Sequence, residues 1–287
     1  MGRNVFAPGV LLALSVLVAV VSSQERPLPD YETFAARVKE QLATDEERQS
    51  GYVFLERRTE QKLDGSGKVT GTDVKVFEVY PGLDGEERYR RLIEHNGRPV
   101  AAAELEKQDR ERRKDVEEFA RKSGSPAARQ EHAREMDKRR RRYTAAVDDL
   151  FRIYDIKMVR RERLDGHDTI FATLTPNGVK PRTDDGKIMT HFNARAWVSE
   201  SDYELARVEI DALRDLSFGM GLLARVHKGT QATFERRKVN GEVWLPAKAT
   251  WTASARVLLL RRLRLRGVSE FSNYRKFTVD TDWRVER

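Results

Sequence analysis

Residues 230–257, TQATFERRKVNGEVWLPAKATWTASARV, decide how the rest of the chain is read. Asn240-Gly241 stands between two extended-looking runs. Both central positions of a tight type I′ hairpin turn need φ > 0, and Asn-Gly is the pair that tolerates this best. On the return run Val243, Leu245, Ala247, Ala249, Trp251, Ala253 and Ala255 fall on one face, and Trp244, Lys248, Thr250, Thr252 and Arg256 on the other. Alternation sustained this long exceeds an ordinary strand and predicts a strongly coiled sheet or an open barrel. Pro246 within the run predicts an edge or a bulge at that point, because proline has no N–H for a ladder.

Working outward, the same period recurs upstream. YVFLERRTEQKL (52–63), a turn at Asp64-Gly65-Ser66-Gly67, VTGTDVKVFEVYP (69–81) and ERYRRLIEHN (87–96) predict an antiparallel meander of three strands. Apolar residues on both faces of VKVFEVY require that something cover this sheet on each side. Downstream, IKMVRRERL and DTIFATLTP flank Asp165-Gly166. VKPRTDDGK (179–187) reads as an exposed loop. HFNARAWVSESDYELARVEIDA gives two strands about a polar turn at 199–202. LRDLSFGMGLLARV suits a loop or strand folding against an opening, and the leucine–arginine alternation after 257 completes the sheet. About ten strands are expected in one domain.

Helical period appears twice. Tyr31, Phe34, Ala35, Val38 and Leu42, behind the cap Asp30, make a short amphipathic helix suited to packing on a sheet. Residues 101–150 are almost wholly helix formers, broken at Ser123-Gly124-Ser125-Pro126, where Ser125 and Pro126 form an N-cap and N1 pair. Apolar positions are sparse until Tyr143, Ala146, Val147, Leu150 and Phe151, so most of this charged helical insert is solvated and held by i,i+4 charge pairs. The run 138–142, KRRRR, is a solvated face on the plainer reading and a contact for anionic lipid headgroups on the other.

The chain has 287 residues, a net charge of +8 and no cysteine. Residues 1–23 combine a basic start, the apolar run VLLALSVLVAVV (10–21) and small residues before Gln24, as in a cleaved secretory signal; an uncleaved anchor is the alternative reading. Residues 24–287 are then the mature domain. Export without cysteine leaves out disulfides and lipid modification, and points to a bacterial periplasm rather than to nucleic acid.

No chemistry stands out. The five histidines lack metal-ligand spacing, no nucleophile elbow, Walker loop or dinucleotide glycine pattern occurs, and Asp165/Asp168 and Asp184/Asp185 read more simply as turn residues than as calcium ligands. The expectation is a non-enzymatic protein without cofactor or metal. Trp197, Phe218, Met220, Leu222, Leu223 and Trp251 are either ordinary core or the lining of an apolar cavity that takes an acyl chain. Arg261, Arg262, Arg264 and Arg266 are a solvated strand face, or a rim that steers anionic headgroups.

A presumptive leader followed by an amphipathic helix, the meander of long strands at 52–81, and the late strands ARAWVSESDYELARVEID and EFSNYRKFTVD together resemble the LolA/LolB-type superfamily of periplasmic lipoprotein and lipid carriers. Trp197-Val198 and Val208-Glu209-Ile210 match its Trp-Val strand and the triplet that follows the polar turn. The resemblance spans roughly residues 52–280. It implies an α+β fold in which an unclosed antiparallel β-barrel is lidded by helices over a cavity for lipid or lipoprotein acyl chains. It carries over no catalytic residue. The long charged segment departs from typical carriers and suggests a rival role, a sensor or scaffold that binds an envelope protein through 101–150.

Overall fold

The structure is a computed structural model, and it describes residues 26–83, 88–218, 224–257 and 261–277. The presumptive leader therefore lies outside the described residues.

Helix α1 (Tyr31–Ser50) opens the described chain. Asp30 caps it as expected, its carboxylate accepting from the Thr33 N–H at 2.9 Å. Strands β1 (Tyr52–Leu63), β2 (Val69–Tyr80), β3 (Tyr89–His95) and β4 (Arg98–Pro99) follow as a meander. Helices α2 (Ala102–Ser123) and α3 (Pro126–Ile153) come next, α3 capped by the Ser125 hydroxyl, which accepts from the Ala128 N–H at 3.1 Å. The chain then runs through β5 (Tyr154–Leu164), β6 (His167–Pro176), α4 (Asp184–Met189), β7 (Phe192–Ser199) and β8 (Leu205–Ala212). A separate pair, β9 (Leu216–Phe218) and β10 (Ala224–Val226), precedes β11 (Gln231–Val239), β12 (Val243–Val257) and β13 (Arg261–Lys276).

Eleven strands form one antiparallel sheet in the order β4-β3-β2-β1-β13-β12-β11-β8-β7-β6-β5. The first and last strands meet in its middle, where β1 pairs with β13 from Tyr52↔Lys276 to Leu63↔Arg264. The sheet does not close, so β4 and β5 are its two edges, and the α2–α3 pair is the segment that carries the chain from one edge to the other. The charged helical insert is thus the crossover of an unclosed, curved α+β barrel. It is solvated as expected: no residue of α2 is buried, and the buried residues of α3 are confined to Ala146, Val147, Asp149 and Ile153.

The Asn240-Gly241 hairpin forms with φ of 52° and 71°, and the Glu242 N–H donates to the Val239 carbonyl at 3.0 Å. Its strands rejoin at Val239↔Val243, one residue further out than a two-residue turn would give. Pro246 sits at a bulge and also outside the β12–β13 register, which runs from Lys248↔Glu270 to Val257↔Arg261. The register passes from Glu235↔Lys248 to Arg236↔Pro246 and leaves Ala247 unpaired. One extra residue reverses the parity of the strand. Val243 and Leu245 therefore face opposite to Ala249 and Trp251, a correction to the single apolar face expected for the whole run. The two displaced residues join Tyr52 in a small cluster with Val239 and Tyr274.

A second correction concerns 179–187. Residues 184–187 of this expected loop are helical, the first part of α4, with the Thr183 hydroxyl accepting from the Gly186 N–H at 2.8 Å. The reason lies 33 residues upstream. The Asp149 carboxylate, 1% exposed, accepts from the Arg182 and Thr183 N–H groups (2.8 and 2.7 Å), the Thr183 hydroxyl (2.8 Å) and the Arg152 guanidinium (2.6 Å). Burial pushes this carboxyl up, but the four donors outweigh it and hold it at about 2.

Candidate functional site

The concave face of the sheet divides in two. Across β1, β3 and β13 it is polar: buried Glu56 accepts from Ser269 (2.8 Å), Arg90 (3.0 Å) and Arg58 (2.8 Å). Burial pushes Glu56 up, and these donors bring it below the usual carboxylate range. Across β5–β8 the same face is apolar. Cross-strand partners share a face, so the rows Leu174–Ala194–Ile210 and Ala172–Ala196–Val208 point the same way. Three of these six positions are alanine, which leaves depth that leucine or phenylalanine would fill.

Helices roof this half. Phe34 and Val38 of α1 are buried with Ile170 and Val198, worth about 1.5–3 kcal/mol for each large apolar side chain removed from water. Ile153 and Tyr154, where α3 runs into β5, pack with Leu174 and Ala196. The far end of α1 is fixed by charge: Asp45 pairs with buried Arg236 at 2.7 Å, and Arg48 pairs with Glu204 at 3.1 Å. Arg236 also reaches Glu204 at 3.3 Å, although burial still pushes that carboxyl up.

Between roof and sheet lies a trough of ≈ 380 Å³. Its walls are Tyr31, Phe34, Ala35, Val38 and Leu42 from α1, Leu150 and Phe151 from α3, and Ile188 and Met189 from α4, with the floor supplied by β5–β8. Every lining side chain is hydrocarbon or thioether except two tyrosines, and one of those, Tyr154, turns its hydroxyl away to the Met189 and Phe192 carbonyls (2.5 and 3.0 Å). Tyr31 and Ile188 stand partly in solvent, at 36% and 38% exposure, and mark the open side. Such a space can desolvate a hydrocarbon chain, and its lining holds no nucleophile, carboxylate or imidazole for bond-making chemistry.

The residues singled out in the sequence are distributed differently. Trp197 stands on the opposite face of β7, between Phe171 (rings 4.9 Å apart) and Arg207 (5.0 Å), its indole N–H donating to Glu162 at 2.5 Å. Trp251 shares the concave face through Ile210↔Ala232↔Trp251↔Gly267, two strands away from the trough floor. A Cβ on Gly267 would stand 2.1 Å from the Trp251 ring, so this glycine makes the room for that indole. Met220, Leu222 and Leu223 lie outside the described residues, as does the side chain of Phe218. Of the four rim arginines, Arg264 donates to the Gly65 carbonyl at 3.1 Å. Of the trough residues, the sequence marks the α1 positions and Leu150 and Phe151 of α3 as packing faces by their helical spacing, and gives no sign of the floor or of α4. Among the described residues no group of His, Cys, Asp and Glu converges as a metal site would, and no helix is long and apolar enough to cross a membrane.

No protein-family model matches the chain, and no curated protein matches its sequence. Among solved structures it is similar to a Vibrio parahaemolyticus domain described as an outer membrane lipoprotein-sorting protein, at 10% identity and a TM-score of 0.35, covering 87% of this chain and 94% of that one. It is also similar to a DUF1329 family protein from Desulfovibrio piger (14%, 0.34, 88% and 95%) and to a LolA superfamily protein from Nitrosomonas europaea (10%, 0.29, 85% and 94%). What the chain binds is read from the trough alone.

Proposed function

We propose that this chain, an unclosed barrel of LolA-like appearance, is a non-catalytic carrier or binding protein of the bacterial periplasm that holds a lipid or lipoprotein acyl chain. The observation that carries this reading is the trough, ≈ 380 Å³ between α1, α3, α4 and the β5–β8 face, lined by apolar groups and open beside Tyr31 and Ile188. Its size falls within the ~300–1,000 Å³ usual for small-molecule sites. Each methylene moved from water into it is worth about 0.8 kcal/mol. Loading and release then need no cofactor and no covalent step. The leader-like residues 1–23 supply the address. A fluorescent fatty acid tests the reading: saturable uptake that a non-fluorescent acid displaces supports it, and no uptake by folded protein defeats it.

A second reading has its own observation. Helix α2 spans 22 residues with none buried, more solvated helix than a crossover between two sheet edges requires. The α2–α3 pair would then bind another envelope protein. Replacing 113–136 by a short turn keeps the edge-to-edge connection and separates the readings. Chain binding that survives while cross-linking to an envelope protein is lost favours the scaffold.

A further inference from the structure

The exposed large apolar side chains are unevenly placed. Of the seven among the described residues, four gather about α4: Val179 in the loop before it, Ile188 within it, Leu213 behind it and Tyr31 across the trough mouth. The Leu213 N–H donates to the His191 carbonyl at 2.8 Å, which sets this residue against the end of α4. Apolar groups collected at the lip of an apolar trough mark a surface that a partner covers.

Charge distinguishes the helices around that lip. Helix α2 is neutral, with seven cations against seven anions. The solvated stretch of α3, residues 126–142, has seven cations (Arg129, Arg134 and the run 138–142) against three anions (Glu131, Glu135 and Asp137), a net charge of +4. Residues 177–191, around α4, have three cations against two anions, a further +1 with histidine neutral. Arg142 joins the two, its guanidinium donating twice to the Asp185 carboxylate at 3.3 Å. Asp185 and Ile188 stand three residues apart on one face of α4, so the basic run ends one helical turn from the trough mouth. Lys138, Arg140 and Arg141 meet only exposed carboxylates at i,i+3 or i,i+4, contacts too weak to hold them from another anion. The facing wall is of opposite sign: α1 with its cap Asp30 has three cations against six anions. The roof is therefore polarised, basic along α3 and α4 and acidic along α1.

We propose that the α3–α4 side of the roof docks on an anionic lipid bilayer, with Arg140 and Arg141 among the headgroups, Val179 and Ile188 in the interface, and the trough mouth turned to the lipid. The use of this surface for loading rests on the acyl-chain reading of the trough. A chain leaving the bilayer then enters beside Ile188 without crossing water. A bilayer suits the surface because it supplies both complements together, a broad negative potential for the basic run and hydrocarbon for the uncovered side chains.

The test is sedimentation of the protein with vesicles of phosphatidylcholine, alone or with about a third phosphatidylglycerol, the lipid that supplies the negative surface. Any contribution of residues 1–23 is common to all samples. Binding is tighter to the mixed vesicles and weakens with salt. Arg140→Gln combined with Arg141→Gln weakens it roughly ten- to twenty-fivefold, at about fivefold per basic residue near such a surface. Arg121→Gln combined with Lys122→Gln removes the same charge from the far end of α2 and leaves binding unchanged. The chain has no cysteine, so Val179→Cys and Val69→Cys each carry one environment-sensitive fluorophore. The label at 179 shifts to the blue on the mixed vesicles, and the label at 69, exposed at the start of β2, does not. Dodecanoate uptake without vesicles is the same in both double variants. No preference for anionic vesicles, an equal loss in the two double variants, or a shift at 69 rather than 179 overturns the docking surface and leaves the trough reading standing. So does binding of soluble polyglutamate in place of vesicles, which assigns the basic run to an acidic polypeptide. Vesicle binding without dodecanoate uptake supports the docking surface and removes its loading role together with the trough reading.

Discussion

Chain length is the perturbation that interrogates the trough most closely. A methylene is about the size of a water molecule, which takes ~30 Å³ in the liquid. The ≈ 380 Å³ trough therefore holds about a dozen such groups. Each buried methylene contributes about 0.8 kcal/mol, so affinity should rise roughly fourfold per added carbon. The rise should stop near twelve carbons, where further methylenes remain in water. Ala196→Leu moves that limit. Ala196 faces the trough from β7, and leucine adds three carbon atoms to the space. The break should come about three carbons earlier, and a filling chain should lose about 2.4 kcal/mol, roughly sixtyfold, while short chains bind as before. Displacement of a fluorescent fatty acid by a series of six to eighteen carbons measures both curves. A slope that never breaks, or a variant that weakens all lengths equally, refutes the trough as the container.

Further outcomes follow from individual contacts. Asp149→Asn removes the charge that organises α4 and should cost about 1–3 kcal/mol in denaturant unfolding. Asp149 is held at about 2, below the ~3.9 of an unfolded aspartate, so its contribution is complete above pH ~4 and is lost as pH falls through 2. The stability gap between wild type and Asp149→Asn should therefore close between those pH values, and a gap constant down to pH 2 would contradict the assignment. Gly267→Ala places a Cβ 2.1 Å from the Trp251 ring, and should destabilise by about 1–3 kcal/mol with a change in indole fluorescence. Asn240→Val puts a β-branched residue at φ 52° and should cost about 1–2 kcal/mol, visible as a lowered melting temperature.

The sequence displays local devices and conceals distant ones. The limits of β1 coincide with YVFLERRTEQKL and those of β2 fall one residue short of VTGTDVKVFEVYP, because alternation and the Asp64-Gly65-Ser66-Gly67 turn act within a few residues. The Ser125-Pro126 start of α3 is legible for the same reason. The parity reversal at Ala247 is not, because a bulge is fixed only by the register of β11 against β12. Nor is α4, whose backbone is organised by Asp149 on another helix. The trough is least visible of all. Its floor reads as ordinary strand, with alanines at 172, 194 and 196 that look like weak core positions until α1 and α3 are laid across them. Large aromatics such as Trp197 attract attention instead, yet Trp197 spends its ring on Phe171 and Arg207 across the opposite face.

The most direct measurement is native and denaturing mass spectrometry of the leaderless protein purified from a bacterial periplasm. The account predicts one bound chain-bearing molecule per protein in the native spectrum, released on denaturation and displaced by dodecanoate. A clean unliganded mass that stays unchanged after incubation with fatty acid, lysophospholipid and lipopeptide would contradict it.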